Sequence, residues 1–432
     1  MIGSVFADRE RHRGFDLEAL EFLARETMHR CGALILEKLV ELEAVSGLGL
    51  ECACGGRDVN QKRSSKVLRT ILGEVRVERM IQRCNGCGRR RAPADVRLDV
   101  AGTGFSPGLR RLMTKAGAEV CFDRARDLLF ELGGVGVTDK EVERVAEAVG
   151  AEVAAREEER VAQALAGEGP AASDSVETLY LAADGTGVPV LRRETEGRRG
   201  KAADGIARTR EVKLAAVFTQ TTVDEKGHPL RDPASTSYVG KIEEVDHFGG
   251  RLFAEAVGRG LKQAKPVVML GDGAPWVWNL CALHFPGAIQ MVDFYHAAEH
   301  LARIARLLHP ADETRRKAWF GKARKRLKRG QIAPLLAEIK GLSGRGRRKE
   351  ELMKALGYFE KNQERMRYDR FRGQGLFIGS GVVEAGCRSV IGKRLKQSGM
   401  RWSVRGANAI IALRCCLESG GFEDYWESRR AA

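Results

Sequence analysis

Two aspartates each follow a short apolar run and precede a glycine: Asp184 in YLAADGTG and Asp272 in VVMLGDGAPW. Glycine beside an acid lets backbone or ligand come close, and the strand ends of α/β sheets are where sites are built. A third acid, Glu384, falls in the first turns of a helix, GSGVVEAGCRSVIGKRLKQSG, whose buried face is expected to be Val383, Cys387, Val390 and Ile391. Gathered carboxylates repel one another unless a cation neutralises them, and hard cations such as Mg²⁺ prefer carboxylate oxygen. Phosphodiester cleavage needs such a set, because it holds two divalent ions about 3.5–4 Å apart on one phosphate. One ion prepares the nucleophile and the other steadies the leaving oxygen. Any of these acids alone would read as a surface residue. Together, and flanked by basic sequence, Asp184, Asp272 and Glu384 read as ligands for two Mg²⁺ or Mn²⁺ ions. Asp293 also ends an apolar run and is followed by FYHAAEH, with His296 and His300 on one helical face. A metal pair there competes with ordinary packing histidines. Asp293 and His296 are placed beside the site, bracing its ligands.

A second metal set lies near the N-terminus. Cys52-x-Cys54 and Cys84-x-x-Cys87, with Gly55 and Gly88 after the pairs, suit a tetrahedral Cys₄ zinc site. One residue between the first two cysteines is fewer than usual, and buried unliganded thiols are the alternative. Zinc there would staple a small domain. Cys31, Cys121, Cys281, Cys387, Cys415 and Cys416 read as packing residues. Ten cysteines in a chain expected in the cytoplasm do not suggest a disulfide framework.

Charge points to a polyanion. The net charge is +15, and residues 301–350 hold sixteen Lys/Arg against four Asp/Glu. A block of this kind is either a solvated helix face or an electrostatic footprint for double-stranded DNA. The candidate phosphate contacts are Arg315, Arg316, Lys317, Lys322, Arg324, Lys325, Arg326, Lys328 and Arg329, although their spacing wraps around a helix. Lys393, Arg394, Lys396 and Arg401 follow Glu384 and would flank the scissile phosphate. The strip at 192–210 adds a second basic stretch beside Asp184. No apolar run approaches the roughly 18 residues of a membrane span, and the charged N-terminal stretch lacks a signal-peptide core. The expected location is the cytoplasm, associated with the nucleoid.

These residues need elements to position them. Residues 15–48 read as a helix with Leu20, Leu23, Met28, Leu34, Ile35 and Leu39 on its apolar face. Alternating Ile71, Val75, Val77 and Ile81 predict a hairpin between the cysteine pairs. From 106 to 165 the pattern is helical with one break at GGVGV. Thr138 and Glu141 form a capping box, and the whole has the shape of a helix-turn-helix. A boundary follows near 167–175. Four buried strands then alternate with helices at about 247–263, 276–283 and 294–308, an α/β pattern with a mixed or parallel sheet. Beyond 308 the chain is helical and basic to about 370, and a last helix at 381–398 starts after Ser380 and stops at Gly399.

DGTGVPV, GDGAPWVWNLCALHFPGAIQMVDFYHAAEHL and GSGVVEAGCRSVIGKRLKQSGMRWSVRGANAI resemble the insertion-sequence transposases of the ISKra group and, more widely, Mutator-like Asp-Asp-Glu enzymes. The resemblance runs from the cysteine pairs to about residue 416. It implies a ribonuclease-H-like catalytic core interrupted by an α-helical insertion, and the step of 112 positions from Asp272 to Glu384 is too long for a simple connection. It makes Asp184, Asp272 and Glu384 the metal triad and matches Asp293 and His296 to an Asp-x-x-His signature. Trp319 resembles an aromatic that stacks on a flipped base, with a plain core tryptophan as the alternative. The resulting division is an N-terminal helical segment (1–48), a zinc ribbon (49–100), a helix-turn-helix-like region (101–170), the first part of the core (171–308), the basic insertion (309–372) and the C-terminal part of the core (373–432). The implied activity is cleavage and joining of the terminal inverted repeats of the element to target DNA, by a homo-oligomer. A zinc-ribbon regulator that does not cut, and a ribonuclease-H-like nuclease without strand transfer, are the competing readings.

Overall fold

The computed structural model describes residues 16–44, 52–169, 176–200, 204–342, 346–379 and 381–429. Ser380, residues 170–175 of the expected boundary and residues 201–203 of the 192–210 strip lie outside them. The chain divides into two units, one reaching to Val149 and rejoined from Asp424 on, the other running Gly150–Glu423.

In the first unit, α1 (Leu17–Ala44) precedes a hairpin of β1 (Asp58–Thr70) and β2 (Gly73–Cys84), to which the short β3 (Arg90–Arg91) adds. Val75 and Val77 point inward as the alternation predicts, and with Leu68 they pack on Ala33, Ala94 and Val100. The face of α1 is corrected. Leu20, Met28, Leu34, Ile35 and Leu39 are exposed, while Ala33, Leu36 and Val40 meet the hairpin. A three- and four-residue stripe shows that a helix has an apolar side, not that the hairpin covers it. After α2 (Pro93–Arg97) come three helices where two are expected: α3 (Pro107–Glu119), α4 (Phe122–Gly133) and α5 (Asp139–Leu165), the last continuing past Val149 into the second unit. The extra break falls at Val120 and Cys121, both in extended backbone. Thr138 and Glu141 form the expected reciprocal cap. The Thr138 hydroxyl accepts from Glu141 N at 3.2 Å, and Thr138 N donates to the Glu141 carboxylate at 2.9 Å.

The second unit is built on a five-stranded mixed sheet of β4 (Thr178–Pro189), β5 (Thr209–Gln220), β8 (Ser237–Lys241), β9 (Val267–Gly271) and β10 (Ile289–Val292), with the small β6 (Thr222–Val223) and β7 (Pro229–Leu230) paired separately. The order across the sheet is β10-β9-β4-β5-β8. The first three strands in the chain are antiparallel neighbours, and the last two add parallel to β4. β8 is a strand the sequence pattern does not reveal. The connecting helices are α6 (Val245–Gly258), α7 (Pro275–His284) and α8 (Phe294–Leu308). The helical stretch that follows holds α9 (Glu313–Lys328), α10 (Ile332–Lys340), α11 (Gly346–Asn362) and α12 (Tyr368–Gly373). Its Leu327, Leu335, Phe359 and Tyr368 belong to the same buried cluster as strand residues Leu181, Val217 and Met269. The last helix is α13 (Gly381–Gly386), running through a π-helical stretch at Cys387–Gly392 into α14 (Lys393–Leu395); α15 (Val404–Glu418) and α16 (Phe422–Ser428) close the chain. No helix among the described residues is long and apolar enough to cross a membrane.

Candidate active site

The parallel register brings the acids of the sheet together. β4 pairs with β9 up to Ala183 opposite Gly271, and β9 pairs with β10 up to Gly271 opposite Val292. The residue after each pair is acidic, so Asp184, Asp272 and Asp293 stand in a row along one end of three adjacent strands. Neighbouring strands lie about 4.8 Å apart. Asp184 is not in a turn, as its Gly-rich context suggests. β4 continues to Pro189 along β5, and only its pairing with β9 ends before Asp184. Gly185 lies within that ladder, opposite Lys213. Asp272 does occupy a turn, with Gly273 at φ +99°.

Backbone amides hold both aspartates. Gly185 N donates to Asp184 Oδ1 at 2.7 Å, and Ala274 N donates to Asp272 Oδ1 at 2.8 Å. Cys387 directs its thiol at Asp184 Oδ2, 3.6 Å away, and lies one turn beyond Glu384 on the same helix face. Burial raises the Asp184 carboxyl, and the charge of Asp272 adds to the rise; the Gly185 amide works against it. Glu384 is also raised, first by desolvation and then by Asp293 and Glu299. Cys387 is pushed up to about 12 by burial and by Asp184. The side chains of Asp184, Asp272 and Glu384 nevertheless do not bring three oxygens within 4.8 Å of one another. Among the described residues only Cys52, Cys54, Cys84 and Cys87 form such a set.

Asp293 is buried and caps α8, its Oδ1 accepting from His296 N at 2.7 Å. The His296 and His300 rings lie 5.3 Å apart, and His300 stacks on Tyr358 at 3.8 Å. Burial drives His300 down to about 4, so it is neutral at physiological pH. Tyr358 donates to the Asp272 carbonyl at 3.0 Å, clamping the turn from α11. No sequence signal links Tyr358 to that turn, 86 residues upstream. Cys387 could have been found, because it shares a helix face with Glu384.

The basic candidates divide by exposure. Arg315, Lys317, Lys322, Arg324, Lys325, Lys328 and Arg329 are exposed and Arg316 is half-buried. Arg315 pairs with Asp312 and Lys317 with Glu313, while Arg326 is neutralised by Glu338. Lys393, Lys396 and Arg401 are exposed, and Lys396 donates to the hydroxyl of Thr186, two residues beyond Asp184. Arg394 is corrected. It is fully buried beside Trp402 and the sulfur of Met400, where no phosphate can reach it. Trp319 is half-buried against the core and donates its indole N–H to Glu338 at 3.0 Å.

The four cysteines converge from both ends of the hairpin. Cys52 and Cys87 Sγ lie 3.6 Å apart, and Cys54 and Cys84 Sγ 3.5 Å apart. Tetrahedral thiolates about 2.3 Å from zinc would be separated by about 3.8 Å, so the cluster could hold a metal ion such as zinc.

Residues 254–429 match the model of a family described as uncharacterised protein family UPF0236. That stretch contains Asp272, Asp293, His296 and Glu384, and excludes Asp184 and the cysteine cluster. No curated protein matches the chain. Among solved structures the chain is similar to the Drosophila P element transposase strand transfer complex, at 12% identity and a TM-score of 0.24, over 73% of this chain and 80% of that one.

Proposed function

We propose that this protein is an Asp-Asp-Glu DNA transposase on a ribonuclease-H-like core, with α9–α12 as a helical insertion. The observation that carries the reading is the position of Asp184 and Asp272 side by side on adjacent parallel strands, with the helix of Glu384 held against Asp184 through Cys387. The sheet order β10-β9-β4-β5-β8 supports the core assignment. Divalent cations, when bound, supply Lewis-acid activation of the nucleophile and stabilise the leaving oxygen. Asp184 and Asp272 would hold them with the oxygens turned away from their backbone donors, and Glu384 would complete the set. Asp293 and Tyr358 fix the surrounding backbone, and Lys396 places an ammonium beside the strand of Asp184, where a phosphate would be gripped. The exposed lysines of α9 give salt-sensitive affinity for duplex DNA. The Cys₄ cluster would carry structural zinc in the DNA-reading N-terminal part, and joining two element ends requires at least two copies of the chain.

One observation favours a second reading, a DNA-binding regulator that does not cut: the three acids stand farther apart than a shared ion allows. Cleavage of a duplex carrying the DNA that flanks the gene, in Mg²⁺ or Mn²⁺, separates the two. The transposase reading expects strand cuts at the element end, and expects Asp272→Ala to abolish them while duplex binding stays within about twofold. Full cleavage by Asp272→Ala removes that carboxylate from the mechanism. No cleavage by the wild-type protein, with tight binding retained, favours the regulator.

A further inference from the structure

Beside the Asp272 turn lies a cleft of about 650 Å³, between the start of α7 and the outer face of α11. Its size falls in the range of about 300–1,000 Å³ that small ligands occupy. Lys354, Lys361 and Arg365 line it, and among the described residues no carboxylate does. Its floor is aromatic. Tyr358 closes the end nearest Gly273, where a Cβ would come within 2.6 Å of the ring, and the Arg365 guanidinium lies 4.7 Å from the centre of the Trp278 ring. Arg365 is fixed there by donating to Gln290 at 2.7 Å. Among the described residues the buried Trp278 indole N–H has no acceptor, although the residue lines the cleft. Exposed Asn279 adds an amide at the rim that can both donate and accept.

Cations around aromatic surface are the composition of a track for unpaired nucleic acid. The cations follow phosphates, and the Arg365 guanidinium, backed by the buried Trp278 ring, with the half-buried Tyr358 beside it, offers a plane for bases to stack on whatever their sequence. The cleft is too small for a duplex, and its position next to Asp272 puts any strand in it beside the acids. We propose that it binds the single-stranded DNA segment next to the scissile phosphate, a role that rests on the transposase reading and adds a substrate conformation to it: the end is unpaired where it is cut.

The test is binding of a fluorescent oligo-dT strand and of a duplex of equal length to the full chain, with no divalent cation added so that cleavage plays no part. The variant is Lys354→Glu with Lys361→Glu, both on the exposed side of α11; among the described residues Lys354 pairs with its neighbour Glu351, at 3.1 Å. An unchanged melting temperature shows that the variant is folded. The expected result is at least about tenfold weaker binding of the single strand, a salt slope shallower by about 1.4 for two lost phosphate contacts, and duplex affinity within about twofold. Unchanged single-strand affinity overturns the proposal, as does an equal loss for strand and duplex. Displacement of the strand by polyglutamate as readily as by unlabelled oligo-dT also overturns it, and makes the cleft an acidic-peptide site. A wild-type protein that binds the strand here with the expected losses, yet never cuts an element end, supports the cleft and refutes the transposase reading.

Discussion

Asp184→Asn should stabilise the protein when no metal is present and cancel its response to Mg²⁺. Asp184 and Asp272 occupy matching positions on strands about 4.8 Å apart, which sets their carboxyls roughly 5–6 Å from each other. At an effective dielectric near 20 that repulsion is about 3 kcal/mol, and the partial exposure of both residues reduces it to about 1–2 kcal/mol. Asparagine keeps an oxygen for the Gly185 amide, so the change removes charge and little else. For a unit the size of Gly150–Glu423 the gain is about 2–6 °C in melting temperature. The gap should depend on pH in a fixed direction. Folding raises the Asp184 carboxyl, so its charge destabilises the folded state fully above the raised value. The penalty shrinks as pH falls through that value and vanishes below the unfolded value of about 3.9. On the transposase reading Mg²⁺ closes most of this gap. At ten times its dissociation constant it stabilises the wild type by about 1.4 kcal/mol, and the variant loses most of that. Differential scanning fluorimetry from pH 4 to 8, with and without Mg²⁺, reads both effects. A variant that melts below the wild type without metal, or that keeps the wild-type response to Mg²⁺, refutes the shared-ion site.

Other perturbations test other parts of the chain. Cys84→Ser should remove one equivalent of zinc per chain, measured by elemental analysis, and open the hairpin of β1 and β2 to limited proteolysis, because the ion would replace much of a small core. Arg251 is buried and bridges Glu157, Glu158 and Glu243 at 3.2, 2.6 and 2.9 Å. Arg251→Met leaves Glu157 buried and uncompensated, and should cost about 3–5 kcal/mol in urea unfolding. Adding Glu157→Gln should recover part of it, and no recovery would show that packing carried the loss. Thr138→Ala removes the hydroxyl that caps α5 and should cost about 1 kcal/mol; a neutral result would mean that Glu141 alone satisfies the helix start.

Much of the architecture is written locally. The helix α1 within 16–44, the hairpin between the cysteine pairs, the cap at Thr138 and the apolar runs of β4, β5, β9 and β10 all follow from period and flanking residues, while residues 15 and 45–48 of the expected first helix lie outside the described ones. What is not legible depends on which partner covers a face. α1 carries two apolar sides, and sequence alone cannot say that Ala33, Leu36 and Val40, not the larger residues opposite, meet the hairpin. β8 is missed because SYVGK is short and has no long apolar run, its place in the sheet coming from β5. Arg394 belongs to a basic run and reads as a surface cation, until the fold closes Trp402 and Met400 over it.

The site divides along the same line. That Asp184 and Asp272 follow apolar runs is visible in the sequence, but their adjacency is a property of parallel pairing between strands some ninety residues apart. The sheet fixes these two acids twice, through the register and through a backbone N–H on one oxygen of each. Glu384 is held differently. It is exposed on a short helix whose continuation is π-helical, and its carboxyl is raised first by desolvation and then by the charges of Asp293, Glu299 and Asp184, against Arg388. A fixed pair and a third acid standing off from it is an arrangement that repulsion favours among gathered carboxylates. On the transposase reading, then, burial and mutual repulsion act together: both raise Asp184 and Glu384, the strands fix two ligands in advance, and a bound cation would offset the repulsion that holds the third away.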